Sequence, residues 1–125
     1  MNDAEKKFQQ TLSGATLIGR YTEGDEAAPK QDRYTIKSLT KLSDKLWLFQ
    51  ARIQYGEHDI TLPLPLRVEW AGATPVITLD NVPAPPLGVF SARVLIFDDQ
   101  YAGVWSGGDH GGQLFGRIQK EKDAP

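Results

Sequence analysis

Cysteine is absent from the chain, so disulfide frameworks, thiolate metal sites and cysteine nucleophiles are excluded at the outset. The same absence suits a reducing cytosol and an exported protein equally, and leaves the compartment open. Histidine is scarce, with His58 and His110 the only two. An excess of one charge is also lacking. A formal net charge of −2 with both signs interspersed presents no basic face and argues against nucleic-acid binding by phosphate neutralisation. No apolar run reaches the length of a helical membrane span, so a soluble protein without a membrane span is expected. The opening MNDAEKKFQQ is charged and carries no signal-peptide core. With Met1 native the expectation is a cytoplasmic protein. With Met1 added to a trimmed mature domain, an exported or periplasmic protein fits as well.

Helical periodicity is nearly missing too. Only Asp3 to about Leu12 reads as a helix, with Asp3 as its cap, Phe8 and Leu12 on one side, and Ser13-Gly14 at its end. What the chain has instead is alternation. At 125 residues it is one domain, residues 1–125, with the helix inside 1–14 and a polar, flexible tail at 121–125. Ala15 to Tyr21 is a first strand, followed by a charged, mobile loop, TEGDEAAPKQ. Arg33 to Leu39 follows, with Tyr34, Ile36 and Ser38 on one face. Leu46 to Tyr55 alternates most cleanly, with Trp47, Phe49, Ala51, Ile53 and Tyr55 against Leu48, Gln50, Arg52 and Gln54.

Ile60 to Trp70 keeps the pattern with Pro63 and Pro65 on its polar face. Because proline cannot donate to a ladder, this strand is predicted to be an edge, bulged or locally broken there. Thr74 to Leu79 is the next strand, and NVPAPPLG is a proline-rich connection. The last third, Phe90 to Lys120, reads FSARVLIF, DDQ, YAGVWS, GGDHGG, QLFGRIQK, the form of an antiparallel meander. About eight short strands joined by short turns predict an all-β fold, an antiparallel up-and-down β-barrel with a short N-terminal helix. Closure removes the exposed edges of an open meander, and a barrel of this size is either filled by side chains or holds one small ligand.

A front helix, a first strand with Gly-x-aromatic (Gly19-Arg20-Tyr21, where Gly-x-Trp is usual) and an antiparallel meander together resemble the lipocalin-like, or calycin, barrels. The segment YAGVWSGGDHGGQLFGRI, residues 101–118, is also similar to an uncharacterised bacterial family of unknown function. The first resemblance implies a barrel that binds small apolar molecules. It carries over no functional residue.

Several clusters invite chemistry. GGDHGG, residues 107–112, combines glycines that let backbone amides approach an anion with His110 and Asp109, a proton-transfer pair. The simpler reading is a tight turn between two strands. His58 and His110 with Asp59, Asp98, Asp99 and Asp109 could form a metal site if their loops met, but no ligand spacing is present, and solvated loop residues are the simpler reading. Asp98-Asp99 suits a turn better than paired-carboxylate catalysis. Ser91 and Ser106 lack a nucleophile elbow. Arg93 either faces outward, as arginines mostly do, or points inward and meets an anionic ligand.

Tyr21, Tyr34, Trp47, Phe49, Tyr55 and Trp70 fall on interior faces, and Tyr101 and Trp105 share one. So many rings fill a small barrel as core, or else line a pocket where Gly19, Gly103 and Gly116 leave room. Three functions follow. One is a non-catalytic binding protein for a small apolar ligand, held by Trp47, Tyr55, Trp70, Tyr101, Trp105 and His110 and by an inward Arg93. Another is a structural or protein-interaction module with a filled barrel, pairing through its proline-rich edge at Pro63-Pro65 or Pro83-Pro86, for instance as a homodimer. The last is an enzyme using His110 and Asp109. No catalytic residue, metal or cofactor is expected.

Overall fold

A computed structural model describes residues 1–25 and 28–120. Residues 26 and 27 of the charged loop, and the tail expected at 121–125, lie outside the described residues. Among the described residues the chain forms α1 (Asp3–Leu12), β1 (Ala15–Tyr21), β2 (Lys30–Lys41), β3 (Leu46–Tyr55), β4 (His58–Ala71), β5 (Thr74–Ala84), β6 (Gly88–Phe97), β7 (Gln100–Gly107) and β8 (His110–Lys120). Each strand pairs antiparallel with its neighbour in sequence and β8 pairs with β1, so the sheet closes into an eight-stranded up-and-down barrel. No helix among the described residues is long and apolar enough to cross a membrane.

The helix is capped one residue earlier than Asp3. The Asn2 side chain accepts from the Glu5 amide at 2.8 Å and the Glu5 carboxylate accepts from the Asn2 amide at 3.0 Å, a reciprocal capping box. The other Glu5 oxygen meets Lys41 Nζ at 2.6 Å. The Lys41 contact, then the Asn2 amide, hold the Glu5 carboxyl below its ordinary range. Gln9 donates to the Leu39 carbonyl at 2.9 Å, so both contacts fasten α1 to the far end of β2. Phe8 and Leu12 stand about one turn apart on the buried side of α1. Phe8 packs edge-on against Trp47, Phe49 and Trp70 at centroid distances of 5.1, 6.3 and 5.9 Å. The helix therefore plugs one barrel end, and the Lys120 ammonium donates to the Ser13 carbonyl beside it.

Four connections are two-residue hairpins whose first residue has positive φ: Gly56 at 55°, Gly72 at 63°, Asp98 at 54° and Gly108 at 63°. That geometry matches the twist of the flanking strands. It makes Asp98-Asp99 and the centre of GGDHGG turns, and it puts the former at the plugged end.

Two strands depart from strict alternation. A bulge in β2 between Ile36 and Ser38 resets the phase, so Leu39 is buried and Ser38 is exposed, the reverse of the simple period-2 reading. β5 continues past Leu79 to Ala84, which turns the first half of the proline-rich connection into strand. Its bulge between Leu79 and Val82 places Asn81 at φ 53°, and the Asn81 amide donates to the Ser91 hydroxyl at 2.9 Å instead of to the ladder. After this reset Val82, Pro83 and Ala84 pair with Phe90, Val89 and Gly88.

β4 and β5 pair only from Arg67↔Thr78 to Ala71↔Thr74. Beyond Arg67 the flank of β4 from His58 to Leu66 has no β5 partner, although its register with β3 is unbroken. The Val68 amide donates to the Lys45 carbonyl, towards the β3 side, at 2.8 Å. Amides alternate sides along a strand, so the nitrogens of Pro63 and Pro65 face the seam. Asp80 sits at the fork and binds Arg67 of β4 at 3.0 Å and Arg93 of β6 at 2.9 Å.

Candidate ligand-binding site

The barrel is not filled. Its interior holds a cavity of about 680 Å³ that opens at the end opposite α1, where the loops after β1, β3, β5 and β7 gather. The walls are aliphatic and aromatic, with Leu17, Ile36, Ala51, Leu66, Ile77 and Val94 among them. Phe49 is shared between plug and cavity, since it lines the cavity and packs on Phe8. Four rings form the rim on one side. Tyr21 meets Tyr55 at 5.9 Å and Trp105 at 6.1 Å, both edge-on, and Tyr55 lies 4.9 Å from the His58 ring. Glu23 and His110 complete the opening. Burial, with the neighbouring Tyr21 and Glu23, pushes the Tyr55 phenol above its ordinary range.

Deeper in the barrel one rung of the ladder gathers the polar groups. Tyr101 pairs with Gly116, Gly116 with Gly19, Gly19 with Asp32, Asp32 with Tyr55, and Tyr55 with His58. All six residues face inward or towards the rim. A side chain on Gly116 would meet the Tyr101 ring at 2.8 Å, and one on Gly19 would meet the Tyr101 hydroxyl at 2.5 Å. The two glycines thus let the Tyr101 ring cross β8 and β1 and reach β2. There its hydroxyl donates to one Asp32 oxygen at 3.3 Å, and Tyr34 donates to the other at 2.8 Å. Asp32 is only 4% exposed. Burial raises its carboxyl above the ordinary range, opposed by the bonds from Tyr34 and Tyr101. Burial, then the Asp32 charge, pushes both phenols up, so both remain protonated donors.

The sequence candidates divide by height in the barrel. Tyr55, Tyr101, Trp105 and His110 line the cavity. Trp47 and Trp70 face inward but pack on Phe8 at the plugged end, away from the cavity. Arg93 points outward to Asp80, and Arg117 is exposed on the outer surface. His58 and His110 share the open end, whereas Asp98 and Asp99 lie at the other. Asp59 is held by Arg52 in an exposed bidentate pair, and the described residues contain no group of three or more potential metal ligands. Asp109 pairs with His110 at 3.2 Å on a hairpin tip, where it is 94% exposed.

The glycines of GGDHGG serve close packing as well as the turn. The Thr22 carbonyl lies 2.1 Å from where a Gly112 β-carbon would be, and it accepts from Trp105 Nε1 at 3.0 Å. Sequence reasoning passed over Asp32, Tyr34 as a polar group, and Glu23. The signal for Asp32 was its phase, two residues before Tyr34 and four before Ile36. An eight-stranded barrel with an apolar internal chamber and a few convergent polar groups is the class that fold and site define. No protein-family model, curated protein or solved structure matches the chain.

Proposed function

We propose that this protein is a non-catalytic, lipocalin-like binding barrel for a small, mostly apolar ligand. The observation that supports this reading is the chamber of about 680 Å³, within the roughly 300–1,000 Å³ typical of small-molecule sites. It is plugged by α1 and rimmed by aromatic rings, and its lining combines apolar walls with four phenols, those of Tyr21, Tyr34, Tyr55 and Tyr101. Between β4 and β5 the ladder ends at Arg67↔Thr78, so no main-chain pairing joins the two strands beyond it.

Thermal unfolding against long-chain amines, long-chain alcohols, fatty acids, retinoids, haem and small aromatic acids tests the reading. A ligand at 100 times its Kd stabilises the fold by about 2.7 kcal/mol. For this chain that is about 10 °C in Tm. A flat response across the panel refutes it.

One observation favours a different reading, a module that associates with a second copy of itself. Leu95, Phe97, Val104 and Phe115 are exposed on the outer faces of β6, β7 and β8, and Leu95, Ala102 and Phe115 lie on one rung. A flat ligand response together with a Tm that rises with protein concentration supports that reading instead.

A further inference from the structure

The Asp32 carboxylate is buried with two neutral phenols as its side-chain partners and with no cation against it among the described residues. A buried charge is costly unless an opposite charge or a full set of donors compensates it. Among the described residues no lysine or arginine lines the cavity; at its mouth stand Glu23, paired with Lys30 at 3.2 Å, and the imidazoles of His58 and His110. Tyr34 and Tyr101 line the cavity, whereas Asp32 lies outside its wall and is reached through their hydroxyls. Each hydroxyl spends its proton on Asp32, so the oxygen lone pairs are what the two phenols present to a ligand. The chamber therefore offers acceptors and negative potential to whatever polar group enters it.

We infer that the cavity takes an apolar molecule with an ammonium head, seated against the Tyr34 and Tyr101 hydroxyls with Asp32 as its counter-ion, and that it rejects carboxylates. This rests on the binding reading above and names its ligand class. The folded protein already bears the desolvation of the carboxylate, so an arriving ammonium gains an attraction strengthened by the low dielectric. A fatty acid meets the same field with the wrong sign, and no guanidinium or ammonium among the described lining residues receives it. The rim of Tyr21, Tyr55 and Trp105 lies on the way in and suits a cation as well, through ring faces.

The test is a matched series of decylamine, decanol and decanoate, titrated at pH 7 with tryptophan fluorescence and calorimetry as readouts. An alkylamine is protonated at this pH, given amine pKa values near 10.4 as in lysine, roughly. Decylamine is expected to bind at least tenfold tighter than decanol, and decanoate weakest of the three. In Asp32→Asn the decylamine advantage over decanol collapses to within about twofold. Tyr34→Phe, which keeps the carboxylate, reduces it only in part, and the wild-type series stands alone should Asp32→Asn fail to fold. Equal affinities for all three, or a preference for decanoate, overturn the inference and leave the binding reading standing. Binding of none of them overturns both.

Discussion

Gly19 is the position at which backbone packing and the polar site depend on one missing side chain. A β-carbon there would stand 2.0 Å from the Phe115 carbonyl oxygen, 2.5 Å from the Tyr101 hydroxyl and 2.8 Å from Gly116 Cα. Non-bonded contacts settle near 3.5–4.0 Å, so Gly19→Ala drives β8 outward by more than about 1 Å and dislodges Tyr101 from Asp32. Overpacking in a tight core costs about 1–3 kcal/mol, and with a buried hydrogen bond lost as well about 3 kcal/mol is expected. At about 2.1 cal/mol/K per residue, unfolding of 125 residues has an entropy near 0.26 kcal/mol/K, so Tm falls by about 11 °C.

Gly56→Ala is the control. That residue has φ 55° with nothing within 4 Å of a new β-carbon, so it bears only the left-handed backbone penalty of about 1–2 kcal/mol. Scanning calorimetry on both variants decides the matter. If Gly19→Ala melts no lower than Gly56→Ala, the close approach of β1 and β8 is not what keeps glycine there.

Two further outcomes follow from the plug and the buried carboxyl. Phe8→Ala empties the edge-on contacts with Trp47, Phe49 and Trp70 and is expected to cost about 3–5 kcal/mol in urea unfolding, whereas Leu42→Ala on the exposed surface stays within about 0.5 kcal/mol. The folded-state carboxyl of Asp32 is raised, so the native state holds its proton to higher pH than the unfolded chain. Stability from this group therefore increases as pH falls through the folded value towards the ordinary 3.8. Glu5, Asp59 and Asp80 are lowered and act in the opposite direction. The stability of wild type minus that of Asp32→Asn should thus rise on acidification from pH 7 to pH 4 in denaturant melts, and a flat difference refutes the burial of a charged carboxylate there.

Alternation made the barrel legible because one face of nearly every strand is dry. β3 shows this most plainly, with Trp47 to Tyr55 reading straight through to burial or to the cavity wall. Two local events broke the period without a strong sequence mark. The bulge near Lys37 turned Leu39 inward, and the one at Asn81 carried β5 into residues that look like a proline linker.

The site was less legible for a geometric reason. Alternation tells whether a side chain faces in or out, and says nothing about how far along the barrel axis it sits. Trp47 and Tyr55 share a face of one strand, yet one belongs to the plug and the other to the rim. Asp32 and Tyr101 are 69 residues apart and meet only because strand stagger sets Gly19 and Gly116 between them on one rung. Register of that kind is a property of the closed sheet, and no single strand carries it.

A barrel with a parted seam runs a risk that a sealed one does not. The open flank of β4 is a row of main-chain groups available for templating, the way a growing fibril or a swapped strand recruits its neighbour. Pro63 and Pro65 answer that risk at the source, since their nitrogens face the gap and have no hydrogen to offer. At Pro63 and Pro65 an incoming strand would find carbonyls without the matching donors, and only the amides of Asp59 and Thr61 would remain to pair with it on that flank. Two imino acids thus weaken strand addition at the seam while the register of β4 with β3 stays unbroken.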